Sequence, residues 1–302
     1  MTGVAVGRVT LGGPVMTAAG TAGTGTELAA FGALRELGAV VVKSLAPYPW
    51  DGNPSPRLAG VPGGMLNAVG LAGPGIPRWI ERDLPLLERE GATVVASVWG
   101  RTADEYEAAA GLLEPVAARI AAIEVNLSCP NLSSGDGAAH AMFAHDPAVS
   151  ADVVGRMVRA GVPLWAKLSP NTDRLVEVAR AVAGAGADAV TLVNTVRGRM
   201  VDPRTGGPTL GAGSGGLSGR AIHPVALRAI AEVRAALPDL AIVGAGGVTD
   251  ADSALAMLLA GADAVQVGTA TFADPRAPWR IQRDLRRAML RRPLPARGRN
   301  RG

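Results

Sequence analysis

One cysteine, two lysines and seven asparagines carry most of the chemistry open to this 302-residue chain. Cys129 lies in I-E-V-N-L-S-C-P-N, residues 123–131. Apolar residues alternate through Ile123, Val125 and Leu127 and stop at Ser128-Cys129-Pro130-Asn131, so a strand runs into a loop that proline keeps from continuing. A lone cysteine on an apolar strand is ordinarily a small buried hydrophobe. At a strand's end, beside a hydroxyl and between the amides of Asn126 and Asn131, it reads as a functional thiol. Of 30 basic residues only Lys43 and Lys167 are lysine. A chain that otherwise takes arginine keeps lysine where a compact ammonium on a flexible stem is needed. Both lysines follow β-like runs, Val40-Val41-Val42 and Leu164-Trp165-Ala166.

Elements that would position these residues follow from the pattern. Hydrophobic content is 48% with aromatics at 3%, so the core must be aliphatic, and forty glycines without a period imply many tight turns. Strands begin near residues 15, 39, 93, 121, 163, 189, 241 and 264, nearly every one followed by a helical pattern. Eight β-α units with near-continuous apolar strands describe an α/β protein, a (β/α)8 TIM barrel with long loops at the C-terminal face of its strands. A doubly wound open sheet is the alternative. Val4 to Thr10 reads as a leading strand or hairpin. Helices are expected with Leu28, Phe31, Leu34 and Leu37 on one face, and over 80–89, 103–120, 147–160, 173–183, 224–236, 250–260 and 278–290. Two Gly/Pro-rich excursions, 47–75 and 197–219, read as functional loops. Residues 1–290 form one expected domain, with 291–302 a basic, poorly ordered tail.

Charge and composition exclude several classes. The sequence pI near 9.9 comes from the tail: seven arginines and no acids follow Asp284, so residues 1–284 carry +4 − 7 = −3. Nucleic acid is not an expected partner. No apolar run approaches a membrane span and no leader pattern opens the chain, so a cytoplasmic protein is expected. His140, His145 and His223 lie off the strand ends, and no metal site is expected.

In a barrel the reacting groups collect where the strands end. Ala19-Gly20, Lys43-Ser44, Ser97, Asn126 with Cys129, Lys167, Asn194-Thr195, Gly246-Gly247 and Gly268-Thr269 fall there, and Asn67 joins from the first long loop. Glycine turns after strands seven and eight let backbone N–H groups approach a phosphate, and a helix N-terminus would favour its charge. With Lys167, they suggest a phosphorylated cofactor across the barrel mouth.

These motifs resemble a family. V-K-S at 42–44, N-P-S-P-R at 53–57, G-G-M-L-N-A-V-G-L at 63–71, N-L-S-C-P-N at 126–131, K-L-S-P-N at 167–171, V-N-T at 193–195, G-L-S-G at 216–219, G-A-G-G at 244–247 and V-G-T-A at 267–270 run in order as in the dihydroorotate dehydrogenases. Cysteine in N-L-S-C-P-N points to the soluble class 1 enzymes, and L-S-S-G-D-G after Asn131 resembles the class 1B FMN-binding catalytic subunit. The resemblance implies FMN-dependent oxidation of (S)-dihydroorotate to orotate in pyrimidine biosynthesis. It makes Cys129 the base for the C5 proton and sends the C6 hydride to flavin N5. Cofactor contacts would come from Ala19, Gly20, Lys43, Ser44, Ser97, Asn126, Lys167, Val193, Gly219, Gly246, Gly247, Gly268 and Thr269. Substrate contacts would come from Lys43, Asn67, Ala68, Val69, Gly70, Leu71, Asn126, Asn131, Asn194 and Thr195. A homodimer is implied, together with an electron-transfer subunit carrying FAD and an iron–sulfur cluster in a heterotetramer. One cysteine cannot hold that cluster here.

Ala19, Ser97 and Trp99 depart from the family pattern, which commonly has serine, asparagine and a small residue there. Another dihydropyrimidine is therefore the nearest alternative substrate. A barrel that binds flavin or phosphate without chemistry is the weaker alternative. Small residues at 133–137 suggest a loop that closes over substrate.

Overall fold

Aliphatic runs too apolar for a half-exposed strand must be covered on both faces, and here they are. The computed structural model describes residues 3–127 and 142–291. Eight parallel strands follow one another: β1 (Val15–Thr17), β2 (Val40–Val41), β3 (Val94–Val98), β4 (Ala122–Asn126), β5 (Leu164–Lys167), β6 (Ala189–Leu192), β7 (Ala241–Ala245) and β8 (Ala264–Val267). From β2 through β8 each pairs with the next, and β8 returns to β1 with Gln266 opposite Met16. A parallel bridge between Met16 and Ala39 joins β1 to β2, backed by the Gly38 N–H on the Val15 carbonyl at 2.8 Å. The ring is closed, as the (β/α)8 pattern requires.

Inside it, Met16, Val41, Val95, Ala122, Trp165 and Val243 are fully buried and fill the N-terminal half. A hairpin, Val4–Val6 with Val9–Leu11, plugs that end and adds Val6, Val9 and Leu11 to the same cluster. Helices cover the outer face of the ring: Ala103–Leu113, Pro147–Met157, Leu175–Gly184, His223–Ala236, Ala251–Ala260 and Ala277–Arg291. Their aliphatic faces form the larger core with the outward side chains of the strands. No helix among the described residues is long and apolar enough to cross a membrane.

Three expectations are corrected. The stretch holding Leu28, Phe31, Leu34 and Leu37 is two short 3-10 turns, Glu27–Ala30 and Leu34–Glu36, and Phe31 is 42% exposed. Trp279 lies against Gly32, where a Cβ would meet its ring at 2.6 Å, and its Nε1 donates to the Ala33 carbonyl at 2.9 Å. That tertiary contact takes the carbonyl a continuous helix would use. The helix expected at 80–89 is two, Ile76–Arg82 and Leu84–Arg89, and the one expected at 103–120 ends at Leu113 in a 3-10 turn, Glu114–Arg119. Pro85 and Pro115 lack the N–H that would continue them.

Nor are the two long excursions irregular throughout. Leu58–Val61, Gly64–Asn67, Gly215–Ser218 and Val196–Gly198 form a four-stranded antiparallel sheet. Its glycine content hides it from any strand pattern, and Asn67 finds its partner Gly216 149 positions away. Arg291, the first residue of the expected tail, ends the last helix, whereas 292–302 and the small residues at 133–137 lie outside the described residues.

Candidate active site

At the C-terminal ends of the strands a cleft opens with about 1120 Å³ of empty space, its mouth included. Ala19 and Gly20 reach its wall from the end of β1, Lys43 and Ser44 from β2, Asn126 from β4 and Lys167 from β5. Val193, Asn194 and Thr195 follow β6, Gly246 and Gly247 follow β7, and Gly268 and Thr269 follow β8. The antiparallel sheet and its loops supply Asn67, Val69, Gly70, Leu71 and Gly219. Cys129 and Asn131 lie outside the described residues.

Two expected contacts stand behind the wall instead. Ser97 is fully buried and shares a 2.8 Å hydrogen bond between its hydroxyl and that of Ser44, so it can act only through Ser44. Ala68 is buried among Leu66 and Leu210 under the antiparallel sheet. Trp99 also misses the cavity. It packs against Ala46 and Leu71, with Tyr48 and Trp50 edge-on to its ring. Trp50 Nε1 donates to the Gly70 carbonyl at 2.9 Å, and the Arg101 guanidinium lies 3.9 Å above the Trp50 ring. This aromatic group props the loop in which Leu71 takes a left-handed φ of 62°, a conformation L residues adopt only where their surroundings hold them.

The amides are joined into a chain. Asn126 Nδ2 donates to Ser44 Oγ at 3.3 Å, Asn194 Nδ2 to Asn126 Oδ1 at 3.3 Å, and the Thr195 N–H to Asn194 Oδ1 at 2.8 Å. Behind it, Asn171 Nδ2 donates to the Thr195 carbonyl at 3.0 Å, and the buried Tyr106 hydroxyl to the Asn126 carbonyl at 2.6 Å. Asn67 is aimed by donating to the Gly216 carbonyl at 3.0 Å. An amide held through one of its polar atoms still presents others, both donor and acceptor, to a ligand.

Electrostatics favour an anion. Among the described residues, two ammoniums and no carboxylate lie on the cavity wall. Among the described residues, no carbonyl accepts from the N–H groups of Gly246, Gly247, Gly268 or Thr269, which leaves four donors at one end. Glycine is needed there: Gly246 and Gly247 have φ of 123° and 76°, and a Cβ on Gly247 would stand 2.7 Å from that of His223. The helix dipole expected to assist is not offered. The helix after β7 is capped by Asp250 in a capping box with Ser253, and the one after β8 is the single turn Ala270–Ala273. Turn amides are what remains for a phosphate.

Below the wall lies a group that the motif reading passed over. Glu124 is fully buried and takes the Lys167 ammonium at 3.2 Å, the Thr191 hydroxyl at 3.0 Å and the Gln266 amide at 2.5 Å. Its signal was present, since a glutamate between Ile123 and Val125 interrupts an apolar strand. Gln266 between Val265 and Val267 does the same. Leu58, Met65, Ile222 and Phe272, which also line the cleft, carry no such signal. No group of His, Cys, Asp and Glu among the described residues can hold a metal ion.

Known proteins resemble the chain along its length. The sequence profile of a family described as dihydroorotate dehydrogenase matches residues 1–289. A protein of Geobacter sp. (strain M21) is 44% identical over 284 residues, covering 93% of this chain and 91% of its own. One of Desulforudis audaxviator is 46% identical over 286 residues, 94% of this chain and 91% of its own. One of Geobacillus kaustophilus is 43% identical over 269 residues, 88% of this chain and 84% of its own. All three are named dihydroorotate dehydrogenase B (NAD(+)), catalytic subunit.

Proposed function

The chain belongs to the dihydroorotate dehydrogenase family, and from this we propose that it oxidises (S)-dihydroorotate to orotate in pyrimidine biosynthesis with FMN as its cofactor. The observation that carries the reading is the cleft itself: among the described residues it presents two lysines, a linked row of amides and four open backbone N–H groups, with no carboxylate on the wall. Donors of this kind fit FMN. Gly246, Gly247, Gly268 and Thr269 would take the phosphate, Gly219 would allow close approach, and Ala19, Gly20, Lys43, Ser44 and Lys167 would hold the ring system. Bound FMN would supply the two-electron acceptor for the hydride that leaves C6.

This chain's own residues do the rest. Asn67, Asn126, Asn194 and Thr195, with Asn131, orient the dihydropyrimidine ring by pairing with its carbonyl, N–H and carboxylate groups. Fixing that ring against the acceptor removes most of the entropic cost of the encounter. Lys43 supplies a positive charge for the substrate carboxylate. Cys129 would take the C5 proton on Sγ, acting as a thiolate base. As C5 loses a proton and C6 a hydride, the C5–C6 single bond becomes the double bond of orotate.

Since the relatives are named as NAD(+) enzymes and as catalytic subunits, electrons would leave through a partner. We infer an electron-transfer subunit carrying FAD and an iron–sulfur cluster, joined to a homodimer of this chain in the cytoplasm.

The test is anaerobic. L-dihydroorotate mixed with the flavin-loaded protein should bleach the flavin absorbance within seconds in the wild type. Cys129→Ala should be slower by about 10²-fold or more, the usual worth of a general base. A wild-type flavin that stays oxidised would overturn the dihydroorotate assignment and direct attention to other dihydropyrimidines. A protein that binds no FMN would overturn the cofactor.

A further inference from the structure

Glu124 and Asn126 lie two residues apart on β4, so both side chains point into the ring, with Asn126 at the cavity wall and Glu124 one layer beneath it. A fully buried carboxylate is costly unless its oxygens are satisfied. Here they accept three donors, from Lys167 on β5, Thr191 on β6 and Gln266 on β8. Strand register makes the meeting possible, since Lys167 pairs with Asn126 on one side and with Thr191 on the other. Lys167 Nζ also donates to Gln266 Oε1 at 3.1 Å. An ammonium has three protons. Among the described residues Glu124 and Gln266 take two, and Lys167 forms part of the cavity wall, so one N–H is left for a ligand.

We propose that Glu124 is a positioning residue that holds the Lys167 ammonium in the cavity floor with a single N–H free for the flavin. The inference rests on the FMN reading above. A long, flexible lysine side chain has many rotamers, and the bidentate tie to Glu124 and Gln266 selects one of them before the cofactor arrives. Replacing the carboxylate by an amide of the same shape places an N–H₂ group among donors. Lys167 then loses the partner that aims it.

A double-mutant cycle tests this through cofactor binding and flavin potential rather than turnover. Apoprotein would be titrated with FMN by flavin fluorescence, and the midpoint potential read by reductive titration with a reference dye. Lys167→Met should weaken FMN binding on the order of tenfold or more, the worth of one charge-assisted hydrogen bond. It should also lower the potential, because an ammonium favours the reduced, anionic flavin. Glu124→Gln should weaken binding by a similar factor and shift the potential in the same direction. The double variant should be no worse than Lys167→Met. Factors that multiply in the double variant, or a Glu124→Gln potential that is unchanged or raised, would overturn the proposal. If Glu124→Gln alone fails to fold, Lys167→Met compared with the double variant decides: equal affinity and potential support it, and a further loss refutes it. A wild type that takes up no FMN would sink the cofactor reading instead, and is told apart by that result.

Discussion

Tyr48 shows how a single side chain outside the cavity serves the wall. Its hydroxyl donates to Glu105 Oε2 at 3.0 Å, and Glu105 also accepts the Arg101 N–H at 2.7 Å. The loop behind Leu71 is tied to a helix in this way. Burial first, then the hydrogen bond and charge of Glu105, push the Tyr48 phenol up to about 12, against a smaller opposing pull from Arg101. A folded pKa above the ordinary value near 10 means that the native state keeps the proton longer than the unfolded chain. The stability tied to that proton is intact below pH 10 and is lost as pH rises through about 12. Urea unfolding across this window should therefore show a steeper fall for the wild type than for Tyr48→Phe. Equal slopes would mean that the phenol titrates as if exposed. Nothing in the sequence marks this role, because Tyr48 reads there as one more turn residue between prolines.

Among the elements, the antiparallel sheet over the mouth is the piece that converts a generic barrel into this site. It places Asn67, Ser218 and Gly219 above the strand ends, and Thr269 Oγ1 donates to Ser218 Oγ at 2.8 Å to tie the sheet to the loop after β8. Its glycines are there for contact. A Cβ on Gly216 would stand 2.0 Å from Thr195 Oγ1, and one on Gly64 would stand 2.0 Å from the Ser218 carbonyl. Gly216→Ala should therefore displace Thr195 and weaken orotate binding by about tenfold or more, since a small misplacement of an orienting group is costly. Under the FMN proposal, cofactor content should stay near that of the wild type, because the turns proposed to take the phosphate lie elsewhere. Orotate titration of the flavin spectrum measures the first, and flavin released on denaturation the second. The 3-10 turns at 27–36 carry the opposite lesson: an i, i+3 apolar pattern was legible there, but Trp279 from the far end of the chain overrode it.

At the scale of the whole molecule the two ends of the barrel are divided in purpose. Its C-terminal mouth holds polar residues at close quarters, and its N-terminal half is an apolar core sealed by the leading hairpin. Leu11 is fully buried in that seal, well away from the cleft. Leu11→Ala should cost about 3 kcal/mol of stability, as buried leucine truncations do, with FMN affinity unchanged. Chemical denaturation with flavin bound and free would test both halves of that statement. A loss of affinity without a loss of stability would contradict the separation. Eight apolar strands and most of the helices between them were determined by the sequence itself, because period is a local property that neighbours in the chain express. Tertiary structure alone decided that Ser97 stands behind Ser44, that Gly216 seats Asn67, and that Glu124 meets Lys167, Thr191 and Gln266. Those meetings depend on the register of strands that are distant in sequence, and register is set by the closed ring as a whole.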